Sequence, residues 1–108
     1  ECAHRAVLKA LDSGSKMDAL FAVHDSLATG AYQALKEKKI HIPKQIKVIG
    51  IGDSEIPKYL SPPLSSAGAE ESRVYEKAAA LMLELIENPT SEPKVMLTRA
   101  RYIARGST

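Results

Sequence analysis

Apolar positions along this chain follow a helical period in some stretches and run nearly unbroken in others, and the two patterns alternate. Residues 2–12 place Ala3, Ala6, Val7, Ala10 and Leu11 on one helical face. Ser13-Gly14-Ser15 ends that helix, with Gly14 suited to a left-handed cap. An apolar run at 18–23 reads as a buried strand that stops abruptly at His24-Asp25. Asp25 then suits the N-cap of a helix over 26–39, which buries Leu27, Ala31, Ala34 and Leu35. The run Lys36-Glu-Lys-Lys39 closes it, with cations at the negative end of the helix dipole.

Ile42-Pro43 leads in extended form into a second strand at 46–51. Its nearly continuous apolar character suits a sheet covered on both faces. Residues 53–63 form a loop or short helix, and Ser61-Pro62-Pro63 forces an extended exit. A third strand follows at 64–67 and a long helix at 70–87, with Val74, Ala78, Leu81 and Leu85 on one face and Met82 and Ile86 beside it. Asn88-Pro89 ends that helix. The segment 94–103 alternates as an outer strand does. This order predicts an α/β fold, a three-layer sandwich with a mainly parallel sheet. Its core would contain Leu20, Phe21, Val23, Leu35, Val48, Ile49 and Ile51. The 70–87 helix carries so wide an apolar face that it is expected to need a partner.

Composition narrows the class. With 108 residues, 44% of them hydrophobic, the chain makes at most one small domain. It begins at Glu1 already inside a helical pattern, which reads as a fragment whose upstream part is absent. A net charge of +2, spread throughout, singles out no nucleic-acid surface. The single cysteine, Cys2, rules out an internal disulfide and suits a reducing compartment such as the cytoplasm. No apolar run approaches the roughly 18 residues of a membrane span, and no signal peptide lies within these residues.

Candidate chemistry sits at the strand ends. In parallel α/β sheets, ligands collect where the carboxyl ends of strands meet helix starts. His24-Asp25 ends the first strand and Gly52-Asp53-Ser54 the second, so a small-molecule site is expected there. A neutral imidazole at His24 can donate or accept to a ligand hydroxyl, or it can bond to backbone. Asp25 reads as the helix cap. Asp53 either accepts from a ligand or caps the 54–60 turn, and Gly52 either leaves room for a ligand or supplies a permissive backbone. No catalytic constellation emerges. Gly50-Ile-Gly52 lacks the third glycine of a phosphate loop, Ser26, Ser54 and Ser61 lack a nucleophile elbow, and nothing fixes the separation of Asp25 and Asp53. His4 and His41 make no metal set, Cys2 reads as an inert helix residue, and no cofactor is implied.

The chain resembles the LacI/GalR family of sugar-responsive transcriptional regulators. The resemblance rests on Asp18-Ala-Leu-Phe-Ala-Val-His-Asp25, Gly30-Ala-Tyr-Gln-Ala-Leu35 and Ile42-Pro-Lys-Gln-Ile-Lys-Val-Ile-Gly50. Tyr59-Leu-Ser-Pro-Pro-Leu-Ser-Ser66, Leu83-Glu-Leu-Ile86 and Arg105-Gly-Ser-Thr108 continue it in the same order. It implies a periplasmic-binding-protein-like core of two α/β subdomains with an effector in the cleft. Residues 1–108 would supply most of the C-terminal subdomain, the 70–87 helix would cross to the other subdomain, and the DNA-binding helix-turn-helix head would lie outside this chain.

Carried onto this sequence, the family's effector contacts fall at His24, Asp25, Gly52, Asp53 and Ala69. Three of these depart from the usual pattern: His24 stands for Asn, Gly52 for Asp and Ala69 for Gln. The Gly-Ile-Gly-Asp run looks more like the branch that responds to disaccharides such as sucrose or trehalose. The resemblance further implies a homodimer, with Thr29, Tyr32 and Gln33 on a helix and Ile56, Tyr59 and Leu60 in a loop at the interface. Ile56-Pro-Lys-Tyr-Leu60 is apolar for a surface connection, although Tyr59 and Leu60 can also fold back on their own domain. The expected partners are a small sugar effector, operator DNA through the head and a second copy, with no membrane. The expected function is sensing and dimerisation in a regulator of repressor type. The alternative is a transport-system sugar-binding protein with the same core, and what precedes Glu1 separates the two.

Overall fold

The structure, a computed structural model, describes residues 1–68, 71–89 and 94–108, and for 71–73 only the course of the backbone. Helix α1 spans Cys2–Asp12, β1 Ala19–Phe21, α2 Asp25–Glu37 and β2 Lys47–Ile51. They are followed by α3 at Ile56–Tyr59, β3 at Ser65–Gly68, α4 at Glu71–Glu87 and β4 at Arg101–Ile103. The sheet runs in the order β1-β2-β3-β4. The first three strands are parallel, with Leu20 opposite Val48 and Gly50 opposite Ser66. Strand β4 returns antiparallel, with Ala67 opposite Tyr102.

Both helices that feed the parallel strands end in the same hydrogen-bonded motif. At α1, Gly14 N–H donates to Leu11 O and Ser15 N–H to Ala10 O, with Gly14 at φ 75°. At α2, Lys39 N–H donates to Lys36 O and Ile40 N–H to Leu35 O. Here the left-handed residue is Lys39, at φ 57°. The motif turns Ile40 back against the core.

Parity along the strands decides what is covered. Leu20, Ala22, Val48 and Gly50 share the face on which α2 lies, and α1 packs against α2. That layer holds the core: Val7, Ala22, Ala28, Ala31, Tyr32, Ala34, Leu35, Ile46, Val48 and Leu64 are buried, with Leu8, Leu11 and Leu20 packed against them. Ala6 and Leu27, assigned to buried helix faces by periodicity, are exposed, and Ala28 and Tyr32 are buried instead.

On the opposite face the expected core does not form. Phe21 is 57% exposed, Val23 66% and Ile51 39%, and Ile49 is only half-buried. Among the described residues no helix packs extensively on that face, so they form two layers rather than three. Helix α4 does not supply the third layer. It leaves the sheet with Val74, Leu81 and Leu85 half-buried and Tyr75, Met82, Leu83 and Ile86 exposed.

Strand β4 is also shorter than the alternation at 94–103 suggests. Among the described residues it pairs through Arg101–Ile103 with Ser66–Gly68 of β3, and 94–100 lie outside a strand.

Candidate ligand site

At the end of β1 the backbone of His24 is extended (φ −154°, ψ 141°), which makes His24 the N-cap of α2. Its Nδ1 accepts from Ser26 N–H at 3.3 Å and lies 2.9 Å from Ser26 Oγ. The ring itself is exposed. Asp25 is therefore not the cap. It is the first residue inside the helix, and its side chain turns inward under the sheet, fully buried.

Three groups satisfy that buried carboxylate. Ser66 Oγ–H donates to Oδ1 at 2.8 Å, while Ser54 donates to Oδ2 through its N–H at 3.0 Å and its hydroxyl at 3.4 Å. Gly50 makes the arrangement possible, since a Cβ there would sit 2.2 Å from Asp25 Oδ1. A buried carboxylate is tolerated only when its lone pairs are met this completely.

The end of β2 turns through two residues of positive φ, Gly52 at 122° and Asp53 at 52°. Gly52 N–H donates to Ala67 O at 2.9 Å, and Asp53 N–H donates to Ser66 Oγ at 3.1 Å. Ser66 thus joins the two strand ends, accepting from Asp53 and donating to Asp25. The Asp53 carboxylate faces Arg105, whose Nη2 lies 2.5 Å from Oδ1. The same guanidinium donates through Nη1 to Leu64 O at 2.8 Å, and Arg105 N–H donates to Ser65 Oγ at 2.9 Å. Both side chains of the pair are largely shielded from water.

Residues 105–108 continue this stitching. Ser107 Oγ–H donates to Val48 O at 2.6 Å and accepts Ser65 N–H at 2.8 Å, and Val48 N–H donates to Ser107 O at 2.8 Å. Sequence reasoning placed Ser54 at the strand end but assigned no role in the site to Ser66, Arg105 or Ser107. The available signal was a pair of serines, Ser65-Ser66, in a strand between apolar ones. Polar side chains buried in a sheet imply polar partners.

His24, Gly52 and Asp53 therefore lie at the ends of adjacent parallel strands. Asp25 sits behind them as a support, and Ala69 lies outside the described residues. The side chains available are imidazole, hydroxyl and a charge-neutralised carboxylate, a set suited to hydrogen bonding with polyhydroxylated ligands.

The residues assigned to an interface divide. Tyr32 is 8% exposed and its hydroxyl donates to Pro62 O at 3.0 Å, so it belongs mainly to its own core. Burial raises its phenol pKa above the usual 10.0. Thr29 and Gln33 are exposed on α2, Ile56 is 40% and Tyr59 81% exposed, and Leu60 folds partly onto the core. Between α2 and the 59–62 segment lies an open groove of 620 Å³ that Tyr59, Gln33, Lys36 and His41 help to line.

Comparison with known proteins places this arrangement. The periplasmic binding protein-like domain family matches residues 2–108. The ribose operon repressor of Haemophilus influenzae is 31% identical over 97 residues, covering 90% of this chain and 29% of the repressor. A LacI family transcriptional regulator from Enterococcus faecium, solved with bound ribose, superposes with a TM-score of 0.84 at 27% identity, covering 98% of this chain and 38% of that one. Another from Arthrobacter, in complex with lactose, gives 0.86 at 25% identity, covering 98% and 41%. The chain thus spans about a third of the length of the curated relatives it matches. It belongs to the periplasmic binding protein-like domain family, as a portion of the effector-binding core found in LacI/GalR-type transcriptional regulators.

Proposed function

We propose that this chain is the C-terminal part of the effector-sensing core of a sugar-responsive, LacI-type transcriptional repressor working in the cytoplasm. The observation that carries this reading is the meeting of His24 with Gly52-Asp53 at adjacent strand ends, in a fold whose relatives hold ribose or lactose. A small neutral sugar, a disaccharide among the candidates, takes hydrogen bonds from this polar edge. The rest of the cleft, and the head that contacts operator DNA, are supplied by residues outside 1–108. Sugar binding changes how two heads are held relative to each other, which requires a dimer. Thr29, Gln33, Ile56 and Tyr59, with the edges of Tyr32 and Leu60, form the proposed contact between copies.

Isothermal calorimetry on the full-length protein with ribose, lactose, sucrose and trehalose tests the proposal. At least one sugar binds, and His24→Ala and Asp53→Ala each weaken that binding by about 1 kcal/mol or more per lost hydrogen bond. Binding of every sugar with unchanged affinity in both variants would remove these residues from the site.

A further inference from the structure

The geometry of His24 points to a fixed polarity at the proposed sugar site: we infer that the imidazole meets its ligand as a hydrogen-bond donor through Nε2–H. This rests on the sugar-sensing reading for the ligand, but the tautomer follows from the protein alone. A backbone N–H can only donate, and Ser26 N–H is directed at Nδ1 at 3.3 Å. Nδ1 must therefore keep its lone pair, and the proton of the neutral ring resides on Nε2. Ser26 Oγ lies 2.9 Å from the same nitrogen, and with Nδ1 unprotonated its O–H shares that single lone pair with the backbone N–H. Capping α2 thus orients the ring and selects its tautomer together.

The other groups at the strand ends sharpen this polarity. Both oxygens of Asp25 are buried and taken by Ser54 and Ser66. The charge of Asp53 is offset by Arg105. Among the described residues, Nε2 of the exposed His24 carries no hydrogen bond within the protein. The ligand atom opposite β1 is accordingly an oxygen with a free lone pair, such as a sugar hydroxyl or ring oxygen. A ligand offering an ammonium at that point is rejected. His24 therefore has two separable tasks, holding the helix start and presenting one donor.

Two measurements on the full-length protein separate these tasks. Long-range 15N–1H correlation of 15N-histidine-labelled protein, in alkaline buffer where imidazoles are neutral, is expected to show a pyridine-type Nδ1 and a protonated Nε2 at His24. A protonated Nδ1 would overturn the inference. The second compares His24→Ser, His24→Asn and His24→Ala for thermal stability and for affinity toward the sugar that wild type binds best among ribose, lactose, sucrose and trehalose. Serine and asparagine both cap helices, whereas alanine does not, so only His24→Ala is expected to lower Tm, by about 2 °C. Both can also donate, but the serine hydroxyl ends one bond beyond Cβ, well short of where Nε2 stands, whereas the asparagine amide reaches further out. His24→Ser is therefore expected to bind the sugar roughly five- to tenfold more weakly at unchanged Tm, with His24→Asn restoring most of the affinity. Wild-type affinity in His24→Ser would sink the donor role. If wild type binds none of the four sugars, the sugar-sensing reading and the ligand half of this inference both fail, while the spectra still decide the tautomer.

Discussion

Asp25 shows how one residue type can mean two things in the same place. At a helix start, Asp suits the cap, and the cap position is the ordinary inference from sequence. Here the helix starts one residue earlier, so His24 takes the cap and the carboxylate enters the interior. Asp25→Ala would strand Ser66 Oγ and Ser54 N–H, and is expected to lower the unfolding free energy by roughly 3 kcal/mol in urea titrations. Gly50→Ala should cost about 1–3 kcal/mol through overpacking against the same carboxylate. The opposite sign is expected at Lys39. A left-handed backbone strains any residue with a Cβ, so Lys39→Gly should stabilise the protein by about 1 kcal/mol in the same assay. Gly14 was legible as a cap because glycine announces the conformation. Lys39 was not, because a lysine run looks like dipole compensation whatever the backbone does.

Element order and the parallel sheet were readable because each helix and strand carries its own period. Coverage was not. A continuous apolar run shows that a strand can be buried on both faces, but not that the covering element lies within the same 108 residues, and Phe21 and Ile51 reflect that gap. Strand β3 illustrates the converse. Its serines read as a weak strand, yet they are buried and organise both the Asp25 support and the tail. The Arg105 anchor belongs to this level too. Arg105→Ala should destabilise the fold by roughly 2 kcal/mol, and Arg105→Lys should recover little, since an ammonium cannot bond Asp53 and Leu64 as a planar fork does. Tyr32 links α2 to the 61–63 turn. Because the folded state holds its phenol proton more tightly than the unfolded chain does, this contribution is intact below the ordinary value of 10.0 and lost as pH rises past it. Tyr32→Phe should therefore cost about 1 kcal/mol at neutral pH, yet lose less stability than wild type in alkaline denaturation series.

Among the described residues, apolar side chains are left exposed on the sheet face around Phe21 and along α4. Hydrogen exchange on the 108-residue chain should find α4 amides exchanging much faster than those of α1 and α2, with protection regained in the full-length protein. The proposed contact between copies is tested by sedimentation of full-length Tyr59→Asp/Leu60→Asp. A folded but monomeric species at micromolar concentration is expected, and an unchanged dimer would place the interface elsewhere. The seam at Ser107 carries a consequence for how the protein is made. Its partners Ser65 and Val48 precede it by 42 and 59 residues. A ribosome adding roughly 5–20 residues per second therefore exposes β2 and β3 for several seconds before residues 105–108 arrive to close them. During that interval the nascent chain has unpaired strand edges and an unsheltered Asp25–Ser66 pair without its Arg105 neighbour. The last residues of this sequence thus act as a fastening applied after the parts they hold are already in place.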